Sequence, residues 1–238
     1  TEDAQAIEFR CGDNVMEAQL SKWMFQYFRM DKPMVISSKD EMVVGKFVPL
    51  GHSPRRKKVV LNILVDAMSW AAQKERNYQD VPNIMRFFKR GIIFNNHFSV
   101  GEYTYPSFAA IESGLTPHHS QLFNEQAAVS LDSCYVTMSE QMKQLGYYCV
   151  NLMGGGDGII NRTTRGYDRL LTTTYNTPAY EGVERTIRHL EAFGECDQFL
   201  LLHVMDVHPW RAKDFQVPLT TQTGLSLSGR VTGSDERP

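Results

Sequence analysis

The stretch KVVLNILVD at residues 58–66 decides the fold. Val59–Val65 is a nearly continuous β-branched and leucine run, the pattern of a central strand buried on both faces, and it stops abruptly at Asp66. Downstream, a helix is expected over 81–89, a second strand over 91–98, and a helix over 106–113 that Gly114 stops. A helix over 139–145 with Gly146 behind it, a strand over 147–153 and a glycine-rich loop over 154–158 come next. An amphipathic helix over 181–193 leads to a last strand over 198–205, which closes at Asp206 and His208. This alternation predicts the α/β class, with a mainly parallel central sheet flanked by helices. Upstream of it, a helix is expected over 15–28 and a short strand over 42–48, before a polar break at 51–58. The chain thus divides into an N-terminal segment of unreadable role (1–57), an α/β domain (58–210) and an irregular tail (211–238) rich in Thr, Ser and Gly.

Composition narrows the function. In 238 residues, 42% are apolar, ample for a buried core, and 25 Lys and Arg against 27 Asp and Glu leave a charge of −2. The one basic tract, 55–58, is too short for a polyanion surface, so no nucleic-acid partner is expected. The apolar runs at 59–65 and 199–207 fall far short of the roughly 20 residues of a membrane-spanning helix. Cys11, Cys134, Cys149 and Cys196 form no C-x-x-C pair and read as buried small apolar residues; the compartment is unreadable from them.

In an open α/β sheet, ligands bind beyond the carboxyl ends of the strands. Asp66 ends the first strand, Thr104 follows the second, Asp206 and His208 close the last, and the 154–158 loop opens on the same edge. A carboxylate there can ligate a hard or borderline cation, and a hydroxyl beside such a cation becomes a nucleophile at neutral pH. Thr104, before Pro106 and Ser107 at a helix start, also faces an anion with the positive end of that helix. Taken singly, each residue has a plainer reading: Asp66 as an N-cap, Thr104 as a turn residue, His208 as a surface histidine. The histidines at 52, 97, 118, 119, 189 and 203 show no zinc-ligand spacing and receive no role.

Four blocks in order carry a resemblance: KVVLNILVD at 58–66, NNHFSVGEYTYPSFAAIESG at 95–114, residues 142–168 with MKQLGYYCVNLMGGG and NRTTRGYD, and FLLLHVMDVHPW at 199–210. Together they resemble the N-terminal half of the sulfatase branch of the alkaline-phosphatase superfamily. The resemblance implies that Asp66 is the first metal ligand and that Thr104 occupies the nucleophile position and also ligates the metal. Sulfatases carry Cys or Ser there and oxidise it to a formylglycine aldehyde; threonine's secondary alcohol would give a ketone, so that maturation is closed to Thr104. A threonine nucleophile is similar to that of lipoteichoic-acid synthases and phosphoethanolamine transferases, which form a phospho-threonine. The Asn161–Arg162 and Gly166–Tyr167–Asp168 pattern looks like the glycerophosphate-binding loop of the former, making Arg162 a candidate substrate ligand. His208 matches the histidine that contacts the substrate anion or leaving group.

Two departures bear on the site. Ala67 stands where most sulfatases have a second Asp, and nothing after Trp210 supplies the Asp-His or Asp-Asn pair that completes the family's metal shell. Ser234–Asp235–Glu236 is the nearest echo, in the wrong context. The sheet and the shell are therefore expected to be incomplete at the C-terminus, with an apolar edge open to a partner segment or to self-association. The expected function is metal-dependent hydrolysis or transfer of a phosphate ester, small or lipid- or glycan-linked, through Thr104, with Mn, Mg, Zn or Ca as the divalent ion. A sulfate-ester hydrolase and a catalytically silent binding or scaffold module of the same fold are the alternatives. An extracytoplasmic location is implied by the resemblance alone.

Overall fold

The computed structural model describes residues 4–21, 26–124, 129–153, 161–172 and 178–207. The chain forms two compact units, 1–47 and 48–238. In the first, β1 (Ala4–Cys11) pairs antiparallel with β2 (Asn14–Ser21) and β3 (Val35–Ser38), in the order β2-β1-β3. Ile7 and Phe9 are its buried residues, and Phe28 packs its ring on Phe9 at 4.5 Å between centroids. The helix expected over 15–28 is therefore corrected to a strand over its first part. The apolar residues at 15, 16 and 20 suit either period, and eight consecutive pairs with β1 decide for the strand. The strand expected over 42–48 is also absent: those residues have no ladder partner and no regular structure.

The second unit is built on four parallel strands, β4 (Val59–Val65), β5 (Tyr148–Met153), β6 (Arg169–Thr172) and β7 (Gln198–Val204), in the order β4-β7-β5-β6. Its helices are α1 (Trp70–Glu75), α2 (Pro82–Phe88), α3 (Thr104–Ser113), α4 (Pro117–Ser120), α5 (Met138–Gln144) and α6 (Ala179–Ala192). One face of the sheet, with Cys149, Phe199, Leu201, Val60 and Leu64, packs on Phe108 of α3 and on Met138 and Met142 of α5. The other, with Tyr148, Val150, Leu152, Leu200 and Leu202, packs on Leu190 of α6, on Phe193 just beyond it, and on Val48 and Leu50. This is the expected α/β arrangement, a parallel sheet with helices on both faces.

The strand buried on both faces is β7, not β4: six of its seven residues are buried, whereas β4 lies at the sheet edge with Val59, Leu61 and Ile63 exposed by 43%, 40% and 57%. These three sit opposite Gln198, Leu200 and Leu202, on the face that α6 covers farther along the sheet. The strand expected over 91–98 is not formed. Its apolar run finds no partner strand, and Ile92, Phe94 and Phe98 are exposed. β6 was unread because four residues carry too little periodicity. The 154–158 loop and the 211–238 tail lie outside the described residues.

Candidate functional site

Asp66 follows the last residue of β4, and its backbone N–H donates to the Val204 carbonyl at 2.9 Å, which carries the β4–β7 ladder one step further. Ala67 then turns the chain sharply, with φ 59 in the left-handed region where a Cβ is disfavoured. The Asp66 side chain is thereby held at the carboxyl edge of the sheet.

Thr104 is brought to it by α3, of which it is the first residue. The segment before the helix is drawn tight: Ser99 Oγ donates to Gly101 O at 2.7 Å, as does Ser107 Oγ at 3.2 Å. A Cβ at Gly101 would lie 2.8 Å from Pro106 Cγ, so only glycine fits there without displacing the first turn. In this setting Thr104 Oγ1 donates to Asp66 Oδ2 at 2.8 Å. The structure thus joins two residues 38 positions apart that the sequence reading singled out for chemistry.

A third residue meets them there. His203 of β7 brings Nε2 to 3.0 Å from the same Asp66 Oδ2, and its ring stacks on Phe108 at 6.5 Å between centroids. Phe108 follows Thr104 by one helical turn, so α3 presents the hydroxyl and the aromatic ring on one side. The sequence reading gave His203 no role. The signal was a polar ring inside an otherwise apolar strand, FLLLHV, but spacing to other histidines carried no information.

Arg162 is exposed, with φ 58, in the 161–166 turns, and among the described residues no hydrogen bond or ion pair joins it to Asp66 or Thr104. Its loop is firmly built. Asn161 Oδ1 accepts from Thr163 N at 3.1 Å and Oγ1 at 2.7 Å, and Arg165 donates to Glu140 and to the carbonyls of Leu131, Asp132 and Tyr135. Gly166 lies so close to α5 that a Cβ would stand 2.0 Å from Glu140 N. Asp206 is occupied at a helix start, accepting from Ala179 N at 3.0 Å. His208 lies outside the described residues.

Beneath the site, Glu112 of α3 is buried and accepts from Tyr167 Oη at 2.6 Å and from Ser139 Oγ at 3.0 Å. Burial raises its pKa above the ordinary carboxyl value, against the pull of those hydrogen bonds. Cys149 is pushed up to about 12 by burial and by the nearby Asp168, which makes it an inert core thiol. Cys196 is likewise buried, but Cys11 is only half-buried and Cys134 is exposed, contrary to the expectation for them.

Asp66 Oδ2 and Thr104 Oγ1 are two hard oxygens 2.8 Å apart. Neighbouring ligands of an octahedral ion held at ~2.0–2.1 Å are separated by ~2.9 Å, so the pair fits one edge of such a shell. Among the described residues, no group of three or more His, Cys, Asp or Glu side chains is placed to hold an ion. Among them, too, no helix is long and apolar enough to cross a membrane.

The parallel α/β sheet with helices on both faces is shared with solved structures. A candidate sulfatase from Bacteroides thetaiotaomicron VPI-5482 aligns over 68% of this chain and 39% of its own, at 17% identity and a TM-score of 0.53. A protein in the alkaline phosphatase superfamily from Vibrio parahaemolyticus aligns over 78% of this chain and 48% of its own, at 16% identity and a TM-score of 0.53. At such identities the likeness establishes the fold, and the chain spans less than half the length of either structure. No curated protein matches the sequence. The fold is that of the sulfatase/alkaline-phosphatase superfamily. Residues 58–224 match the Sulfatase family model, and the chain belongs to the sulfatase family.

Proposed function

We propose that this chain carries the nucleophile of a metal-dependent enzyme that hydrolyses or transfers phosphate esters, with Thr104 as that nucleophile. The observation that supports it is the 2.8 Å hydrogen bond from Thr104 Oγ1 to Asp66 Oδ2 at the carboxyl edge of the sheet. A threonine rather than Cys or Ser favours phosphate over sulfate esters, since the aldehyde used by sulfatases cannot form from it. Asp66 and Thr104 would hold a divalent ion, which supplies Lewis-acid activation of the hydroxyl when bound.

In this reading Thr104 Oγ attacks phosphorus in line with the leaving oxygen. The P–O bond to the alcohol breaks as the Thr104–phosphorus bond forms, and the hydroxyl proton is given up to water. The positive end of α3 stabilises the charge gathering on the equatorial oxygens. Arg162 is assigned to the substrate phosphate and His208 to protonation of the departing alcohol. Water or an acceptor hydroxyl then releases the group from Thr104.

The test is turnover of p-nitrophenyl phosphate, bis-p-nitrophenyl phosphate and p-nitrophenyl sulfate, each with Mn²⁺, Mg²⁺, Zn²⁺ or Ca²⁺, by the complete enzyme that carries this chain and by its Thr104→Ala variant. Expected are phosphate-ester turnover in the parent and its loss by several orders of magnitude in a variant that still melts cooperatively. A stable Thr104→Ala protein with full activity would remove the nucleophile. Turnover of the sulfate ester alone would favour a sulfatase, and none with any ester a binding module.

A further inference from the structure

His203 is 4% exposed, in the strand at the centre of the sheet's buried faces. Its Nε2 lies 3.0 Å from Asp66 Oδ2, the oxygen that also accepts the Thr104 hydroxyl. Its other nitrogen, Nδ1, is buried with no hydrogen-bond partner among the described residues. An ionised carboxylate only accepts, so Nε2 carries the proton in this contact. A buried imidazole with one unpartnered nitrogen is a poor choice for packing alone, because that nitrogen loses its water without compensation. An apolar ring would fill the space beside Phe108 without that cost.

We propose that His203 is the positioning residue of this site: its Nε2–H fixes the Asp66 carboxylate so that Oδ2 faces Thr104 Oγ1. The ring is itself locked, by Phe108 stacked against it and by its register opposite Leu64, two residues before Asp66. α3 therefore bears on two of the side chains that meet Asp66, Thr104 directly and His203 through Phe108. The inference rests on the reading of Thr104 as nucleophile, and it concerns how the carboxylate is aimed rather than which group attacks.

Two substitutions separate positioning from packing. Gln at 203 can place its amide nitrogen near the Nε2 position, whereas Asn can reach only the Nδ1 position. Both are polar and flexible, so a packing role predicts similar behaviour for the two. Expected is a kcat for phosphate esters within about threefold of the parent in His203→Gln. His203→Asn is expected to lose roughly 10–100-fold in kcat with KM little changed, the usual scale for residues that orient a ligand or reacting group. Equal kcat values in equally stable His203→Gln and His203→Asn proteins would overturn the proposal. Loss of activity in Thr104→Ala alongside such a result would leave the nucleophile reading intact and reject only the role of His203.

A readout independent of turnover is the ring itself. Long-range ¹⁵N–¹H spectra of the metal-free chain should show the His203 proton on Nε2, and Asp66→Asn should shift that proton's resonance. A bare Nε2, or a resonance indifferent to Asp66→Asn, would contradict the proposal even if every variant at 203 failed to fold.

Discussion

Asp197 shows how a single carboxylate ties the lead-in of the α/β unit to its core. It is buried just before β7 and accepts from Ser53 N at 2.9 Å and Arg56 Nε at 2.6 Å, with His52 Nδ1 paired to its other oxygen. Burial works against its charge, yet the contacts from His52, Ser53 and Arg56 prevail and hold its pKa at about 2. Because the folded value lies below the ordinary 3.8, its contribution to stability is present above that pH and is lost as pH falls from 3.8 toward 2. Thermal melts between pH 2 and 7 should show Asp197→Asn less stable than the parent at neutral pH, with the gap narrowing through that acid window. A gap constant with pH would show that the charge of Asp197 does not stabilise the fold. This cluster was not legible in the sequence: 141 residues separate Arg56 from Asp197, and no local pattern marks the pair.

Among the elements, those readable from sequence were the ones whose local signals agree with their tertiary setting. The apolar runs of β4, β5 and β7 are strands, the 3.6-residue periodicity before β7 is α6, and Gly114 ends α3 with φ 70. At α5 the capping box is complete, with Thr137 and Glu140 bonded reciprocally. Where local pattern and partner availability part, the pattern misleads: residues 91–98 are apolar enough for a strand but have no neighbour to pair with, and residues 14–21 pair with β1 instead of coiling. Loop geometry is set by contacts the sequence does not display. Gly166 is the clearest case, since a Cβ there would strike the backbone of Ser139 and Glu140. Gly166→Ala should therefore destabilise by about 1–3 kcal/mol, or more if α5 cannot shift, as read from denaturant midpoints. It should also disturb the loop that carries Arg162. An Ala variant as stable as the parent would show that α5 yields freely.

For the whole molecule, the resemblance carried by four separated blocks was legible from their order along the chain, and the family match over 58–224 agrees with it. The meeting of Asp66 with Thr104 followed from the sheet topology. His203 did not, because its partner is identified only by the β4–β7 register that places it beside Leu64. The exposed row Val59, Leu61 and Ile63 marks β4 as the sheet's outer strand among the described residues, in a chain that spans 39% and 48% of its two solved relatives. The central claim is that Thr104 attacks the phosphorus of the substrate. It is tested most directly by acid-quenching the complete enzyme that carries this chain during turnover of a phosphodiester with a divalent ion present, then locating the transferred group by peptide mass spectrometry. A phosphorus-containing group on Thr104, absent from Thr104→Ala, is the expected result; turnover that leaves Thr104 unmodified and persists in Thr104→Ala would contradict it.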